Sequence, residues 1–256
     1  MLSDNHKESE WDSVYGNEFG SFWYPAEELI KFSARYLKRR TGLDNWQEKR
    51  KVNRILEAGC GNGRHVLFFQ EQGYETYGVD ISKEAIDLGN EWLKRKGLKP
   101  TLQVGNITNL PFDENYFDVI VSFGVLDHIP FLDAKKAIKE IVRVCNTGGY
   151  VYLSLRSTES SEFGRGKKTD NNTFVLDEGY EKGIIQHYFD LKEIEELMRD
   201  FRVFNVDLVE EISPAEYTLD KCFLQSSQGF KKYFDLTKPL DLSLKDSRWH
   251  VVAEKI

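Results

Sequence analysis

From about residue 53 onward, short apolar runs alternate with segments whose apolar residues recur at helical spacing, the pattern of βαβ units around a mainly parallel sheet. Ile55 to Ala58 reads as a short buried strand, and Val66-Leu67-Phe68-Phe69 opens a helix that ends near Gly73. Thr76 to Val79 makes a second strand stopping at Asp80, and Ser82 is placed to cap a helix carrying Ala85, Gly89, Trp92 and Leu93, closed by Gly97 and Pro100. Leu102 to Val104 and Phe117 to Val121 are the third and fourth strands, and Ala134, Ala137, Ile138, Ile141, Val142 and Cys145 trace one helix face. Asn146-Thr-Gly-Gly149 closes that helix, and Tyr150 to Leu155 is the fifth strand. Asp190-Leu-Lys-Glu193 fits a capping box before Ile194, Leu197, Met198 and Phe201. Val203 to Val209 and Trp249 to Ala253 complete seven strands.

Three stretches break the alternation. Ser157 to Asn172 is rich in Ser, Gly, Lys and Asp, so 157–186 is expected to be a lid-like loop. The segment 210–246 has scattered aromatics, no clear period, and reads as an insertion. The first 50 residues look helical, with Pro25, Glu27 and Glu28 opening a helix that carries Leu29, Ile30, Phe32 and Leu37. The expected architecture is α/β: a Rossmann-like, seven-stranded, mostly parallel sheet with helices on both faces. An N-terminal helical and aromatic cap, 1–50, precedes a main domain, 51–256. No internal repeat is visible.

Composition narrows the function. The chain has 256 residues, 40% of them hydrophobic, which suits one globular domain with embellishments. Its 35 basic and 42 acidic residues give a net charge of −7, which disfavours a generic phosphate-backbone binder, so no nucleic-acid partner is expected. Cys60, Cys145 and Cys222 are widely separated, without metal-site or disulfide spacing, so no metal is expected and a reducing compartment is. No apolar run approaches ~20 residues and the polar opening MLSDNHKESEWD lacks a leader pattern, so the expectation is a cytoplasmic chain without a membrane partner.

The candidate chemistry starts at Glu57-Ala-Gly-Cys-Gly-Asn-Gly-Arg-His65. A strand running through glycines into a helix places a ligand at the carboxyl edge of the sheet. The dinucleotide fingerprint G-x-G-x-x-G does not fit, because its sixth position falls on Arg64 or Val66. The pattern is E-x-G-x-G-x-G instead. It resembles motif I of class I S-adenosylmethionine-dependent methyltransferases. Asp80 in YGVDIS, Asn106-Ile107 after the third strand, FDVIVSFGVLDHI at 117–129 and RVCNTGGYVYLSL at 143–155 resemble the later motifs in order, although Asn106 stands where an aspartate is commoner and Asn146-Thr147 replaces Lys-Pro.

The resemblance, spanning roughly 50–210, implies S-adenosylmethionine as cofactor. It implies a binding set of Glu57, Gly59, Cys60, Gly61, Gly63, Arg64, Asp80, Ile81, Asn106, Ile107 and Phe123, with Asp80 accepting from the ribose hydroxyls and Glu57 near the cationic ammonium. Trp11 to Tyr15 and GSFWYP at 20–25 resemble the aromatic cap of small-molecule methyltransferases, which adds Tyr15 and Trp23. His128, just past the fourth strand, and His187, after the long loop, are the catalytic candidates, since a neutral imidazole suits proton abstraction.

Plainer roles stand beside these: the glycines as a tight turn, Asp80 as a neighbour of a helix cap, Glu57 as an acceptor for loop amides, Arg64 as a solvated helix position, and both histidines as structural. Ser122-Phe-Gly-Val125 stands where the amino-methylating nucleic-acid subgroup carries Asn-Pro-Pro-Tyr. The reading is methyl transfer to O or N of a small-molecule acceptor. The alternatives are an NAD-dependent oxidoreductase and a non-catalytic cofactor-binding interaction protein.

Overall fold

The structure, a computed structural model, describes residues 11–12, 24–99, 101–177, 181–213 and 244–256. Its chain order is α1 (Glu27–Phe32, continued by a π-helical turn Ser33–Leu37), β1 (Lys38–Arg40), β2 (Trp46–Glu48), β3 (Arg54–Ala58), α2 (Arg64–Glu71), β4 (Glu75–Asp80), α3 (Lys83–Arg95), β5 (Leu102–Val104) and β6 (Phe117–Phe123). There follow a 3-10 turn (Leu126–His128), α4 (Phe131–Val144), β7 (Cys145–Arg156), β8 (Lys167–Asp170), β9 (Thr173–Val175), β10 (Ile185–His187), α5 (Leu191–Leu197), β11 (Phe201–Ser213) and β12 (Leu244–Lys255).

Seven of these strands form the central sheet in the order β11-β12-β7-β6-β3-β4-β5. β12 runs antiparallel to both of its neighbours, and the remaining pairings are parallel. The period of two assigns alternate side chains to opposite faces. Ile55, Val119, Val121, Tyr152 and Val252 meet Leu29, Phe32 and Leu37 of the N-terminal helix on one face. Leu56, Ile120, Val151, Leu153, Val251 and Ala253 meet α4 and α5 on the other, through Ala134, Ile138, Ile141, Ile194 and Leu197. Both faces are therefore dry, and each fully buried Leu, Ile or Phe contributes about 1.5–3 kcal/mol relative to exposure.

The helix signals hold at their caps. The Ser82 side chain accepts from the Ala85 N–H, and Asp190 and Glu193 close a reciprocal capping box before α5. Cys145 starts β7 directly after α4, and Phe201 starts β11 four residues after α5, each continuing the apolar row of its helix into a strand.

Two expectations are corrected. Residues 38–48 are not helical: β1 and β2 form an antiparallel hairpin, with Lys38 opposite Glu48 and Arg40 opposite Trp46. Its strands are charged and lack apolar alternation; Lys38 and Arg40 lie over the Trp46 ring, 5.0 and 5.8 Å from its centroid, which is where the hairpin finds its packing. The stretch 157–186 is not a structureless lid, because β8, β9 and β10 form a three-stranded antiparallel sheet. Asn172 at φ 51° supplies the left-handed residue of the β8–β9 turn, a conformation asparagine tolerates. Phe163, Phe174 and Tyr188 pack edge-to-face beside it at 5.4–6.0 Å. The strand Lys167-Lys-Thr-Asp170 is exposed throughout and carries no hydrophobic period to read.

Candidate functional site

The chain leaves β3 toward β4 on one side and returns to β6 on the other, so the sheet's topological switch point lies between β3 and β6. The sequence motifs converge at the carboxyl ends of these strands. After β3 the loop folds back on β4: Gly59 and Cys60 donate to the Val79 carbonyl at 2.7 and 3.0 Å, and Gly63 donates to Cys60 at 2.9 Å. Gly59 and Gly63 sit at φ 82° and 79°, and a Cβ there would fall 2.2 Å from Val125 and 2.7 Å from Leu102. These two glycines serve the protein's own packing as well as any ligand. Cys60 is buried, with its Sγ directed at the Gly61 carbonyl, and burial pushes its thiol well up.

Asp80, ending β4, accepts from the Gly61 N–H at 2.7 Å and the Ser82 N–H at 2.9 Å through separate oxygens, so each keeps a second lone pair. Burial raises this carboxyl, against the lowering pull of the Ser82, Gly61 and Ile81 amides. Ile81 follows it, half-buried. Asn106 uses its Oδ1 on its own turn, accepting from the N–H and hydroxyl of Thr108 at 2.9 Å, and the Ile107 side chain joins the core.

Glu57 is 3% exposed. Its Oε1 lies 2.6 Å from His65 Nδ1, and its Oε2 is buried with no hydrogen-bond partner. His65 was passed over in the sequence. The Ala26 N–H donates to its Nε2 at 3.2 Å, so the ring proton sits on Nδ1, facing Glu57. Phe123, at the end of β6, packs on His65 at 5.2 Å and stacks on Tyr152 at an interplanar angle of 9°. Arg64 reaches the Tyr24 carbonyl at 3.5 Å and lies 5.7 Å over Phe123, so it is tied to the site's aromatic wall.

His128 closes the 3-10 turn after β6. Its Nδ1–H donates to the Ile185 carbonyl of β10 at 3.2 Å, which leaves the lone pair on Nε2. Burial pushes this imidazole below its ordinary value, so it is neutral at pH 7. The Trp11 ring meets it edge-on at 5.0 Å, and the neighbouring Asp12 accepts from the Ser82 hydroxyl at 2.6 Å. Two consecutive residues thus tie the end of β4 to the turn after β6, with β3 between them in the sheet. Tyr15 and Trp23, the other cap candidates, lie outside the described residues.

Asp127 also escaped the sequence reading. It is fully buried, accepts from the Arg156 N–H at 2.6 Å and from Arg248 Nη1 at 2.8 Å, and so fastens the His128 turn to β7 and β12. Burial alone would raise its carboxyl, but the Arg248 and then the Arg156 guanidinium hold it below the usual value. The Asp-His doublet past a strand is its only local signal; the arginines come from 29 and 121 residues away.

His187 lies on β10 of the three-stranded sheet, with its Nε2 buried and without a hydrogen-bond partner. It is fully buried, bonded through Nδ1 to Thr173 at 2.8 Å, 3.4 Å from Glu193, and stacked on Phe131. Among the described residues no cluster of His, Cys, Asp and Glu is arranged to hold a metal ion, and no helix is long and apolar enough to cross a membrane.

S-adenosylmethionine fits this donor set. Its ammonium matches the unpartnered oxygen of Glu57, and its ribose diol matches the remaining lone pairs of Asp80. Comparison with known proteins agrees. Residues 56–153 match the methyltransferase domain family. Tocopherol O-methyltransferase of Arabidopsis thaliana is 24% identical over 157 residues, covering 56% of this chain and 44% of that protein. The tRNA (carboxymethyluridine(34)-5-O)-methyltransferase of Arabidopsis thaliana is 34% identical over 114 residues, covering 42% of this chain and 25% of that protein. The chain thus spans less than half the length of either relative. Among solved structures, a SAM-dependent methyltransferase from Methanosarcina mazei superposes with a TM-score of 0.63 at 20% identity, covering 91% of this chain and 99% of that one. Residues 56–153, which carry the switch-point glycine loop and Asp80, match the methyltransferase domain family, and the fold is that of S-adenosylmethionine-dependent methyltransferases.

Proposed function

We propose that the protein transfers a methyl group to an oxygen or nitrogen of a small-molecule acceptor. The observation that carries this reading is His128: a neutral imidazole past β6, its tautomer fixed by the Ile185 carbonyl so that Nε2 is free to take a proton. When bound, S-adenosylmethionine supplies the methyl group and its own leaving group.

The chain's residues bind, orient and exclude water. Glu57 would accept from the ammonium and Asp80 from the diol, with Asp80 held by the Gly61 N–H of the glycine loop and Glu57 by His65. Trp11 shields the His128 ring, and Phe123 forms an aromatic wall beside the glycine loop. Asp127, clamped by Arg248, holds the turn that carries His128.

A small-molecule acceptor is supported by the −7 charge, which opposes tracking of a phosphate backbone, and by the relative that methylates tocopherol. The relative that acts on tRNA makes the comparison worth measuring. The same charge and the lack of a long apolar helix among the described residues favour a cytoplasmic setting. Transfer of radiolabelled methyl to phenols, alcohols, secondary amines and bulk tRNA in parallel tests the reading. Label in a low-molecular-weight product is expected; label in tRNA alone overturns the acceptor class.

A further inference from the structure

Charge is unevenly spread along the chain. Residues 38–54 carry seven basic side chains against two acidic ones, in a chain whose net charge is −7. They belong to the β1–β2 hairpin and to the link from it into β3, and Arg39, Arg40, Lys49 and Lys51 are exposed. Arg39 donates to the Gln47 side-chain carbonyl at 3.1 Å and Arg40 to the backbone carbonyls of Gly42 and Leu43, so these bonds leave both charges unneutralised. The hairpin sits at the amino edge of the sheet: Lys38 Nζ donates at 3.3 Å to the carbonyl of Gln72, which closes α2 at the end away from the glycine loop. The same end of α2 meets the segment after α3, where Gln70 donates to the Lys99 carbonyl at 3.0 Å, so the exposed Lys94 and Lys99 share this edge. Two apolar side chains stand among the cations. Leu43, in the hairpin turn, is 83% exposed, and Trp46 is 44% exposed. Basic side chains around an exposed leucine and an indole make an amphipathic surface, unlike an ordinary solvated charge run.

We propose that the β1–β2 hairpin docks the protein on an anionic phospholipid surface, with Leu43 entering the headgroup layer and the surrounding basic side chains against the lipid headgroups. Charge complementarity sets the sign of the partner. Each Lys or Arg close to an anionic leaflet raises affinity roughly fivefold. The apolar tip sets its kind, because a bilayer interface receives Leu and Trp at headgroup level. A single-stranded nucleic acid would instead stack its bases on an open aromatic face, and Lys38 and Arg40 already lie over the Trp46 ring at 5.0 and 5.8 Å. The contact is peripheral and asks for no spanning helix. It takes the place of the expectation of no membrane partner, which rested on total charge and on the length of apolar runs; neither registers a local patch. The hairpin edge lies opposite the crevice of Glu57, Asp80 and His128, so a docked molecule keeps that crevice toward water, and the lipid surface is a partner distinct from the methyl acceptor.

Flotation of the full chain with lipid vesicles tests this. Vesicles of phosphatidylcholine with about 30% phosphatidylserine are compared with vesicles of phosphatidylcholine alone, and bulk tRNA is titrated in parallel. The expected result is binding to the anionic vesicles at about 0.1 M salt, at least about tenfold weaker at about 0.5 M, with no binding to the neutral ones. Lys49→Gln combined with Lys51→Gln should lower vesicle affinity by roughly 25-fold, two exposed charges at roughly fivefold each. Leu43→Ser should lower it by at least about fivefold, a loss that a purely ionic partner would not show. S-adenosylhomocysteine affinity, measured on each variant by calorimetry, should stay as in the unsubstituted protein, which shows that the variants are folded and the crevice is untouched. Equal binding to neutral and anionic vesicles, or undiminished vesicle binding by either variant, overturns the proposal. So does failure to bind anionic vesicles, and retention of bulk tRNA in that case assigns the patch to RNA instead.

Discussion

The two sides of the switch point are built differently. On the β3–β5 side, Glu57, the glycine loop, Asp80 and Asn106 lie within 50 residues of one another, and Glu57, Asp80 and Asn106 bond to groups of the same stretch. On the β6–β7 side, His128 is held by Ile185, Trp11 and, through Asp127, by Arg248, partners drawn from both ends of the chain. A site for one unchanging cofactor can be written into a contiguous motif. A site for an acceptor is assembled from whichever segments pass the sheet edge, and these are free to differ between relatives that share the cofactor.

Substitutions on the two sides should therefore fail differently. The largest effect is expected at His128. His128→Gln removes the proton acceptor and should lower kcat by about 10²–10⁴, roughly 3–5 kcal/mol, with cofactor affinity little changed. Because burial lowers its folded value, the neutral base persists below the unperturbed value of about 6.5, so the acid limb of the unsubstituted pH–rate profile should lie below that pH and vanish in the variant. A limb above pH 7 contradicts the assignment.

Asp127→Asn should cost about 3–5 kcal/mol of folding stability at pH 7, because it leaves Arg248 and Arg156 without their buried counter-charge. The sign follows from the lowered carboxyl. Its contribution is complete above the unfolded value of about 3.9 and is lost as pH falls through the folded one, so the variant's urea midpoint should be less acid-sensitive below pH 4. Equal stability of the two proteins at pH 7 would remove the clamp.

On the cofactor side, Glu57→Gln should weaken S-adenosylhomocysteine binding by about 10–100-fold, roughly 1.5–3 kcal/mol for a charged hydrogen bond, measured by calorimetry. The loss should appear in KM for the cofactor more than in kcat. Smallest of all, Trp46→Ala in the β1–β2 hairpin should cost about 0.5–1 kcal/mol and leave methyl transfer unchanged, since Lys38 and Arg40 stack there at an exposed site. A large activity loss would place the hairpin in the site.

The same contrast explains what the sequence makes legible. The five βα strands and their caps follow from apolar period and from Ser82 and Asp190, because local pattern and tertiary burial agree there. Glu57 and Asp80 stand out because an acidic group at a strand end interrupts an apolar run. The β1–β2 hairpin and β8 leave no such trace, since their strands are charged or exposed, and β9 and β10, though buried, are three residues each, too short to show a period. His65 sits in plain view after Arg64, but the amide that donates to it, Ala26, lies 39 residues upstream. His187 likewise takes its surroundings from distant segments, through Thr173, Glu193 and Phe131.

The central claim is that the glycine loop and its two carboxylates hold an aminoacyl-sulfonium nucleoside. Parallel calorimetric titration of the purified protein with S-adenosylhomocysteine and with NAD tests it most directly. Saturable binding of S-adenosylhomocysteine with no response to NAD is the predicted result; binding of NAD alone would contradict it.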